Sequence, residues 1–323
     1  MPTSKPLMTK TAEKVRFKPF GIELRVNAPE DLHSELLDKS AIYLPLGVSY
    51  NIATTQQIEI NVERGAPRLE IENFKANLTS DSKNNSIVSD TLLIASRLLE
   101  KALNQNGIFS MHASGVSYNG KAVLILGPYG SGKTTTAFNA CMKNYTIRYV
   151  TGNRPFLKNS TNEILYGMNS HASLQRSSLV SELGIRSDAL ASMHINKGDD
   201  PSVTIQSSRV VIDPSAFGVQ ISSFPLDLEA LVMVRKSHRD LVSYEPGTIS
   251  EREIMAIYYA LCEYSESIYV MFGPRLIFPN ILSEEEKRKR FEYAERLSKS
   301  TRIIYAEGKL NDLSAYITKL LRK

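Results

Sequence analysis

The first 86 residues alternate apolar and polar positions in several short segments. Apolar residues recur at nearly every second position over 22–26, 58–62 and 69–74. Successive side chains of a strand point to opposite faces, so this period is typical of half-buried β-strands. The pattern predicts a small β-rich region over residues 1–86.

A polar stretch then separates this region from a longer helical pattern. Residues 79–86 are all Thr, Ser, Asp, Lys or Asn, which predicts a loop or a domain boundary. Over 88–105 the apolar residues are spaced three and four apart, as on one face of a helix. We therefore expect a second domain over 87–323 that begins with this helix.

The rest of the chain alternates short apolar runs with helical patterns. Strands are predicted at 122–126, 145–150, 209–212, 231–234, 268–272 and 302–305. Helices are predicted at 250–264, 283–297 and 313–321, and the first of them opens with Ser-Glu-Arg-Glu, a capping box. This order of elements predicts an α/β fold with a largely central sheet.

Composition narrows the class of protein. The 323 residues are 42% hydrophobic and 23% charged. The formal charge is only +5 and the basic residues are interleaved with acidic ones, so no nucleic-acid partner is expected. Cys141 and Cys262 both lie in helical patterns, which predicts free thiols in a reducing compartment and hence the cytoplasm. No apolar run approaches the length of a membrane span, and the first ten residues lack a signal-peptide core, so we expect neither a membrane protein nor a secreted one.

The strongest chemical signal is the segment 127–134, which reads Gly-Pro-Tyr-Gly-Ser-Gly-Lys-Thr directly after the apolar run 122–126. It matches G-x-x-x-x-G-K-[ST], in which backbone N–H groups surround phosphate oxygens. The pattern predicts that Lys133 reaches the β and γ phosphates and that the Thr134 hydroxyl binds Mg²⁺. The predicted nucleotide-binding residues are Gly127, Pro128, Tyr129, Gly130, Ser131, Gly132, Lys133, Thr134 and Thr135. The alternative is a glycine-rich turn without a ligand.

One class of nucleotide-binding protein is disfavoured by its missing motif. The chain contains no Leu-Ser-Gly-Gly-Gln signature of transporter ATPases. Asn196-Lys-Gly-Asp199 has the Asn-Lys-x-Asp pattern that reads guanine in translation-type GTPases, so the motif gives no ground against that class. A preference between ATP and GTP is not encoded by the loop itself.

The stretch 109–136, with His112-Ala-Ser-Gly-Val116, a turn, a strand and the glycine-rich loop, resembles the HPr kinase/phosphorylase family. The match covers residues 92–157, about a fifth of the chain. The resemblance implies a core similar to that family's C-terminal domain, which is related to phosphoenolpyruvate carboxykinases. It also implies ATP-dependent phosphoryl transfer to a hydroxyl and is compatible with a homo-oligomer.

One departure from the family concerns catalysis. Where the family carries two adjacent aspartates, this chain has Gly152 and Asn153. The Asn153 amide can orient Mg²⁺ or water but cannot accept a proton. Asp213 follows an apolar strand, as a metal-holding acid does, although Asp-Pro-Ser also starts turns. Asp199 and Asp200 are a third possibility, in a segment that also reads as an exposed loop.

His112 and Arg154, both near the loop in the sequence, could each have a functional or a structural role. The family has a histidine close to the phosphates, which His112 matches, but a core histidine bonded to a carbonyl fits equally. Arg154 could contact phosphate or serve packing. The other histidines lack metal-ligand spacing, so Mg²⁺ is the only metal expected. The polar stretch 157–201 predicts a lid or acceptor-binding region.

Together these observations predict an ATP-binding, Mg²⁺-dependent kinase that transfers the γ-phosphate to a hydroxyl of a protein, peptide or small molecule. The predicted catalytic residues are Lys133, Asp213, His112 and Asn153, and the predicted metal-binding residues are Thr134 and Asp213. The alternative is a non-catalytic ATP-binding sensor or scaffold, favoured by the missing aspartates. A hydrolase coupled to mechanical work is disfavoured because no arginine-finger or sensor motif can be assigned.

Overall fold

The structure is a computed structural model, and it describes residues 14–46, 48, 52, 54, 56–168, 172–185, 209–266, 269–270, 277–278 and 282–322. The chain is a mixed α/β protein. Its described residues group into two compact units. The first draws on Met1–Gly47, Asn51–Leu99 and Tyr269–Phe278, and the second on Val48–Tyr50, Glu100–Ile268 and Pro279–Lys323.

The first unit contains a five-stranded mixed sheet in the order β1-β2-β3-β5-β4. Its strands are β1 (Lys14–Phe17), β2 (Glu23–Asn27), β3 (Gln57–Arg64), β4 (Arg68–Glu72) and β5 (Lys75–Ser80). Strands β2, β3 and β5 are parallel, and β1 and β4 pair antiparallel at the two edges. Helix α1 (His33–Tyr43) lies between β2 and β3 in the sequence. The unit also contains β16 (Tyr269–Val270) and β17 (Ile277–Phe278), which pair antiparallel.

The alternating segments form strands where the sequence predicts them, because one face of this sheet is buried. In β3, Ile58, Ile60 and Val62 are buried while the residues between them are partly exposed. The predicted loop differs from the structure at both of its ends. Thr79 and Ser80 pair with β3 as the end of β5, and helix α2 (Asn84–Gln105) begins four residues before the apolar pattern does.

The second unit is built on a six-stranded sheet in the order β15-β18-β14-β8-β7-β9. The strands are β7 (Ser114–Tyr118), β8 (Lys121–Leu126), β9 (Arg148–Thr151), β14 (Asp227–Lys236), β15 (Val242–Tyr244) and β18 (Arg302–Gly308). The three central strands β18, β14 and β8 are parallel, and the remaining pairs are antiparallel. All three parallel strands therefore end at the same edge of the sheet.

Helices cover both faces of this sheet, which explains why the middle segments of its parallel strands, 122–126 and 230–234, are apolar at every position. The helices are α3 (Lys133–Lys143), α5 (Glu251–Glu266), α6 (Glu284–Ser300) and α7 (Leu310–Leu321). On one face Val123 and Ile125 of β8 share a core with α3 and α7. On the other face Leu124 and Leu126 share a core with α5 and α6. The second unit is thus a three-layer α/β/α arrangement.

Local sequence signals account for several connections. Asn119 and Gly120 both have positive φ, 48° and 80°, and form the two-residue hairpin between β7 and β8. Helix α6 starts with the Ser283/Glu286 capping box, in which the Ser283 hydroxyl accepts from the Glu286 N–H. At α5 the Glu253 carboxylate accepts from the Ser250 N–H at 2.8 Å, so the predicted box side chain is in place.

Smaller elements complete the second unit. Strands β6 (Ile108–Ser110), β10 (Pro155–Lys158) and β11 (Ile164–Gly167) form a three-stranded sheet. Strands β12 (Ala172–Gln175) and β13 (Arg209–Ile212) pair antiparallel, and α4 (Arg176–Ser181) follows β12. Much of the predicted lid, including Asp199 and Asp200, lies outside the described residues, as do Ile268, Met271 and Phe272 of the predicted strand 268–272.

No helix in the described ranges combines the length and apolar character that crossing a membrane requires. Cys141 and Cys262 are both buried, and neither forms a disulfide.

Candidate functional site

The glycine-rich loop, residues 127–132, connects the end of β8 to the start of α3. Gly127, Gly130 and Gly132 have φ values of 145°, 79° and 93°, a region that other residues rarely adopt. A Cβ on Gly127 would lie 2.7 Å from both the Ser131 hydroxyl oxygen and the Val234 carbonyl oxygen. Two of the glycines that the motif requires, at 127 and 132, are therefore also required by the backbone path.

Lys133 is the first residue of α3, and its side chain lies back across the loop. It is buried, and its Nζ donates to the Gly127 carbonyl at 2.8 Å and to the Pro128 carbonyl at 3.2 Å. The Lys236 N–H donates to the Ser131 carbonyl at 2.9 Å, which ties the loop to the end of β14. The first N–H groups of a helix have no partner within the helix and favour anions. The loop thus carries an ammonium group and a helix N-terminus at one place.

Three oxygen atoms from different elements meet beside this helix end. The Thr134 hydroxyl donates to the Gly152 carbonyl at 2.8 Å, and the Ser114 hydroxyl donates to the same oxygen at 2.7 Å. The two hydroxyl oxygens lie 3.1 Å apart. A Cβ on Gly152 would overlap the Tyr149 hydroxyl, so this close approach requires glycine. Because the Thr134 proton is directed to Gly152, its lone pairs are turned away from that carbonyl.

Through the Gly152 carbonyl, the segment 151–154 lies beside Thr134. Asn153 is exposed, its N–H donates to the Thr151 hydroxyl at 3.2 Å, and its carbonyl accepts from the Ala113 N–H at 3.1 Å. The structure thus brings Lys133, Thr134 and Asn153 into one neighbourhood. It holds the backbone of Asn153 and leaves its side chain at the surface.

His112 lies in the same part of the structure and contacts helix α5. Its backbone N–H donates to the Ala260 carbonyl at 2.7 Å, and its Nδ1 lies 2.5 Å from Glu263 Oε1. The hydrogen bond with His112, and then the positive charges of His112 and Lys133, lower the pKa of the Glu263 carboxyl. Sequence reasoning missed Glu263, because nothing in the helical pattern of α5 separates it from the other acids there.

A cleft of about 930 Å³ runs along the glycine-rich loop. Its wall is formed by α5, the ends of β14 and β18, and β15, and His112 and Glu263 both line it. Tyr244 and Tyr305 stack with ring centroids 5.0 Å apart and planes 11° apart, and the Arg252 guanidinium lies 5.4 Å from the Tyr305 centroid. Tyr259, also in the lining, is 64% exposed. The cleft therefore offers flat aromatic surface next to the cationic loop.

Glu253 holds Tyr305, one of the aromatic residues that line the cleft. Burial alone would raise the pKa of its carboxyl, but hydrogen bonds from Ser250 and from the Tyr305 hydroxyl, at 2.6 Å for the latter, lower it to about 2. Burial and the same contact raise the pKa of Tyr305 to about 12. At neutral pH Glu253 is therefore an anion and Tyr305 a neutral donor, which holds the ring in place.

Asp213 is placed differently from the other predicted residues. Its strand β13 pairs with β12, and β14 is the strand that lies beside β8. The Asp213 carboxylate accepts from the Ser215 N–H at 2.8 Å and from the Ser215 hydroxyl at 2.7 Å, and so caps the 3₁₀ turn Pro214–Phe217. The sequence allowed two roles for Asp213, a metal ligand and the start of a turn, and this arrangement is the start of a turn. Asp213 is not among the residues that line the cleft.

Arg154 belongs to a buried cluster of charges. It is buried in an ion-pair triad with Glu100 and Arg290, in which Arg290 Nη2 lies 3.0 Å from Glu100 Oε1. The Ser110 hydroxyl donates to the same carboxylate at 2.7 Å. Burial raises the pKa of Glu100, but the charges of Arg154 and Arg290 and the hydrogen bonds outweigh it and lower the pKa to about 2. The triad links Glu100 of helix α2 with Arg154, which precedes β10, and with Arg290 of α6.

The residues available for a metal are oxygen donors rather than a cage of acids. Within the described ranges, no group of three or more His, Cys, Asp or Glu residues is arranged to hold a metal ion. The Thr134 and Ser114 hydroxyls and the Gly152 carbonyl are hard ligands of the kind Mg²⁺ takes, and Mg²⁺ commonly keeps waters and phosphate oxygens as its other ligands. Thr134 therefore fits one position of a magnesium ion that is bound mainly by a polyphosphate.

No protein-family model matches this chain, and no curated protein is significantly similar to it. The function is accordingly inferred from the chemistry of the loop and the cleft.

Proposed function

We propose that this protein binds Mg²⁺-ATP at the glycine-rich loop and transfers the γ-phosphoryl group to a hydroxyl of a protein, peptide or small molecule. The observation that carries the proposal is the arrangement of Gly127–Gly132 between β8 and α3, with Lys133 and Thr134 in the first helical turn. Backbone N–H groups and one ammonium group at a single concave turn favour a polyphosphate.

Each residue has a role that follows from its position. Lys133 would exchange its carbonyl acceptors for the β and γ phosphate oxygens, and the Thr134 hydroxyl would hold Mg²⁺ while still donating to Gly152. A bound Mg²⁺ supplies positive charge that offsets the charge of the phosphates in the transition state. The aromatic wall of Tyr244, Tyr259 and Tyr305 suits the flat base of a nucleotide.

The second candidate function is a sensor or scaffold that binds ATP without turnover. The observation that favours it is the exposed Asn153 amide beside Thr134, at the place where the resembling family has its paired aspartates. An amide orients water but takes no proton, so binding would persist while transfer is slow. Under this function, ATP would change the affinity of the protein for a partner.

Thermal unfolding with and without nucleotide tests the binding step. Ligand at about a hundred times its Kd adds about 2.7 kcal/mol of stability, which corresponds to about 5–10 °C in the melting temperature of a domain of this size. We expect this shift with ATP and Mg²⁺ together and its loss in Lys133→Ala. Lys143→Ala, at the other end of the same helix α3 and bonded to Asn311, is the matched control and should keep the shift.

Radiolabelled ATP separates the two functions. Transfer of label from [γ-³²P]ATP to a hydroxyl acceptor, reduced about a hundredfold or more in Lys133→Ala, supports the kinase. A Mg²⁺-dependent thermal shift without any ADP formed, even with cell extract present, supports the sensor. The same shift in Lys133→Ala as in the wild type contradicts both.

A further inference from the structure

A second lysine lies beside the glycine-rich loop, at the end of the neighbouring strand. Strand β14 runs parallel to β8, and its Met233 pairs with Leu126, the last residue of β8. Lys236 is the last residue of β14, so the strand continues for three residues, or about 10 Å, past the end of β8. This extension brings Lys236 level with the loop, and it lines the same cleft as Gly127 and Ser131.

The side chain of Lys236 packs directly on the loop. Its backbone N–H donates to the Ser131 carbonyl at 2.9 Å. Its Cβ and Cδ lie 3.0 and 3.4 Å from the position that a Cβ on Gly132 would take, so the stem runs along the backbone of this glycine. Gly132 immediately precedes the first turn of α3. Because the ammonium group is only two bonds beyond Cδ, it stays close to the N-terminus of α3.

The ammonium group of Lys236 is held by an acid that follows helix α4. Lys236 Nζ donates to Glu182 Oε1 at 2.6 Å, and the two side chains are 27% and 28% exposed. The other carboxylate oxygen, Oε2, is buried and accepts no hydrogen bond within the part of the chain that the structure describes. A buried oxygen without a donor costs free energy, so the ion pair satisfies Glu182 only in part. The contact is therefore one that Lys236 can exchange for an anion of higher charge.

We propose that Lys236 is a second phosphate-binding residue of the site and that Glu182 holds it when no polyphosphate is bound. The inference rests on the proposed function, because it assumes that the loop binds Mg²⁺-ATP. On binding, the ammonium group exchanges the Glu182 carboxylate for phosphate oxygens. An ammonium group donates hydrogen bonds and accepts none, so it binds the phosphates rather than the base. Glu182 opposes binding, because its charge repels the phosphates and it holds the lysine that they need.

The preceding residue differs from Lys236 although it has the same charge. Side chains alternate along a strand, so Arg235 and Lys236 point to opposite faces of the sheet. The Arg235 side chain is 80% exposed and lies 3.8 Å from Glu307. The contacts with Ser131 and Gly132 are those of Lys236. The second phosphate-binding role therefore belongs to Lys236.

Isothermal titration calorimetry with Mg²⁺-ATP and Mg²⁺-ADP tests this role in Lys236→Met, in Glu182→Gln and in the double variant. We expect Lys236→Met, which keeps an apolar stem, to raise the Kd of Mg²⁺-ATP about 10–100-fold through the lost charged hydrogen bond. The Kd of Mg²⁺-ADP should rise less, because ADP has one phosphate fewer. Glu182→Gln should lower the Kd of Mg²⁺-ATP about 2–10-fold, and most of this gain should be absent in the double variant, because Glu182 acts through Lys236.

The matched controls are Lys121→Met and Glu229→Gln. Lys121 begins β8, at the edge of the sheet opposite the loop, and its Nζ lies 3.0 Å from Glu229 Oε2. These two variants remove a similar ion pair from the same unit, so the Kd of Mg²⁺-ATP should stay within about twofold of the wild type.

Several results would overturn the role of Lys236 and leave the proposed function intact. These are a wild-type Kd in Lys236→Met, or a Kd that rises by the same factor for ATP and ADP, as a purely structural role of the stem would produce. Glu182→Gln keeps the test decisive if Lys236→Met fails to fold, because an unchanged or higher Kd there contradicts the exchange. Wild-type protein that does not bind Mg²⁺-ATP refutes the proposed function itself.

Discussion

Removing the charge of Glu100 should destabilise the second unit more than any other single change to a carboxylate described above. The Glu100, Arg154 and Arg290 side chains are 1%, 8% and 0% exposed. Glu100→Gln keeps the shape of the side chain but leaves two buried guanidinium groups without their counter-charge. Breaking a buried pair in this way costs about 3–5 kcal/mol.

The pKa of Glu100 gives a second route to the magnitude. A fall from the ordinary value of 4.5 to about 2 corresponds to about 3 kcal/mol of stability at neutral pH. Because the pKa is lower in the folded state, this contribution is complete above pH 4.5 and is lost as the pH falls toward about 2. The two values agree, and the pKa adds a dependence of the stability on pH that packing alone would not produce.

Urea unfolding followed by far-UV circular dichroism measures the effect, since the chain has no tryptophan. We expect Glu100→Gln to lose about 3 kcal/mol at pH 7 and the difference from the wild type to shrink between pH 4.5 and pH 2.5. Glu292→Gln on α6 is the control, because its carboxylate is 61% exposed and should contribute less than about 0.5 kcal/mol. A loss below about 1 kcal/mol, or a difference that is constant over this pH range, would refute the reasoning.

Three further variants test separate parts of the structure. Asp213→Asn should keep Mg²⁺-dependent turnover within about twofold if the residue is a turn cap, because Asn caps as well as Asp, whereas a metal ligand would lose orders of magnitude in the same assay. Gly152→Ala should lower the melting temperature by an amount equivalent to about 1–3 kcal/mol, because the methyl group overlaps the Tyr149 hydroxyl, and should also weaken the thermal shift with Mg²⁺-ATP. Ser283→Ala should cost about 1 kcal/mol in urea unfolding through the lost cap of α6, with nucleotide binding unchanged.

The elements that the sequence predicted well are those whose signal is local. Strand β8 follows from an uninterrupted apolar run, and α5 from the Ser-Glu-Arg-Glu capping box with a helical apolar pattern. Helix α1 was missed because only Leu36 and Ser40 of its eleven residues are buried, so it has almost no apolar period. The end of β5 was read as a loop because Thr79 and Ser80 are polar, and their place in the sheet depends on pairing with Glu63 and Arg64 of β3.

The candidate site also has a part that the sequence could predict and a part that it could not. The loop and the first turn of α3 are contiguous in sequence, so their motif could be recognised without the fold. Glu263 and the aromatic wall come from elements far along the chain, and only the order of strands in the sheet brings them to the loop. Arg154 was ambiguous because its partner Glu100 lies in a different predicted element, and the pairing follows from burial rather than from spacing.

The contact of Lys133 with the carbonyls of Gly127 and Pro128 has a consequence for measured affinity. A phosphate that binds the loop competes with two acceptors of the same chain, whose effective concentration does not fall on dilution. The observed Kd is therefore the intrinsic one divided by the fraction of molecules in which the lysine is released. A substitution that weakens the internal contact without touching a phosphate would tighten binding, so the strongest nucleotide binder among loop variants need not be the wild type.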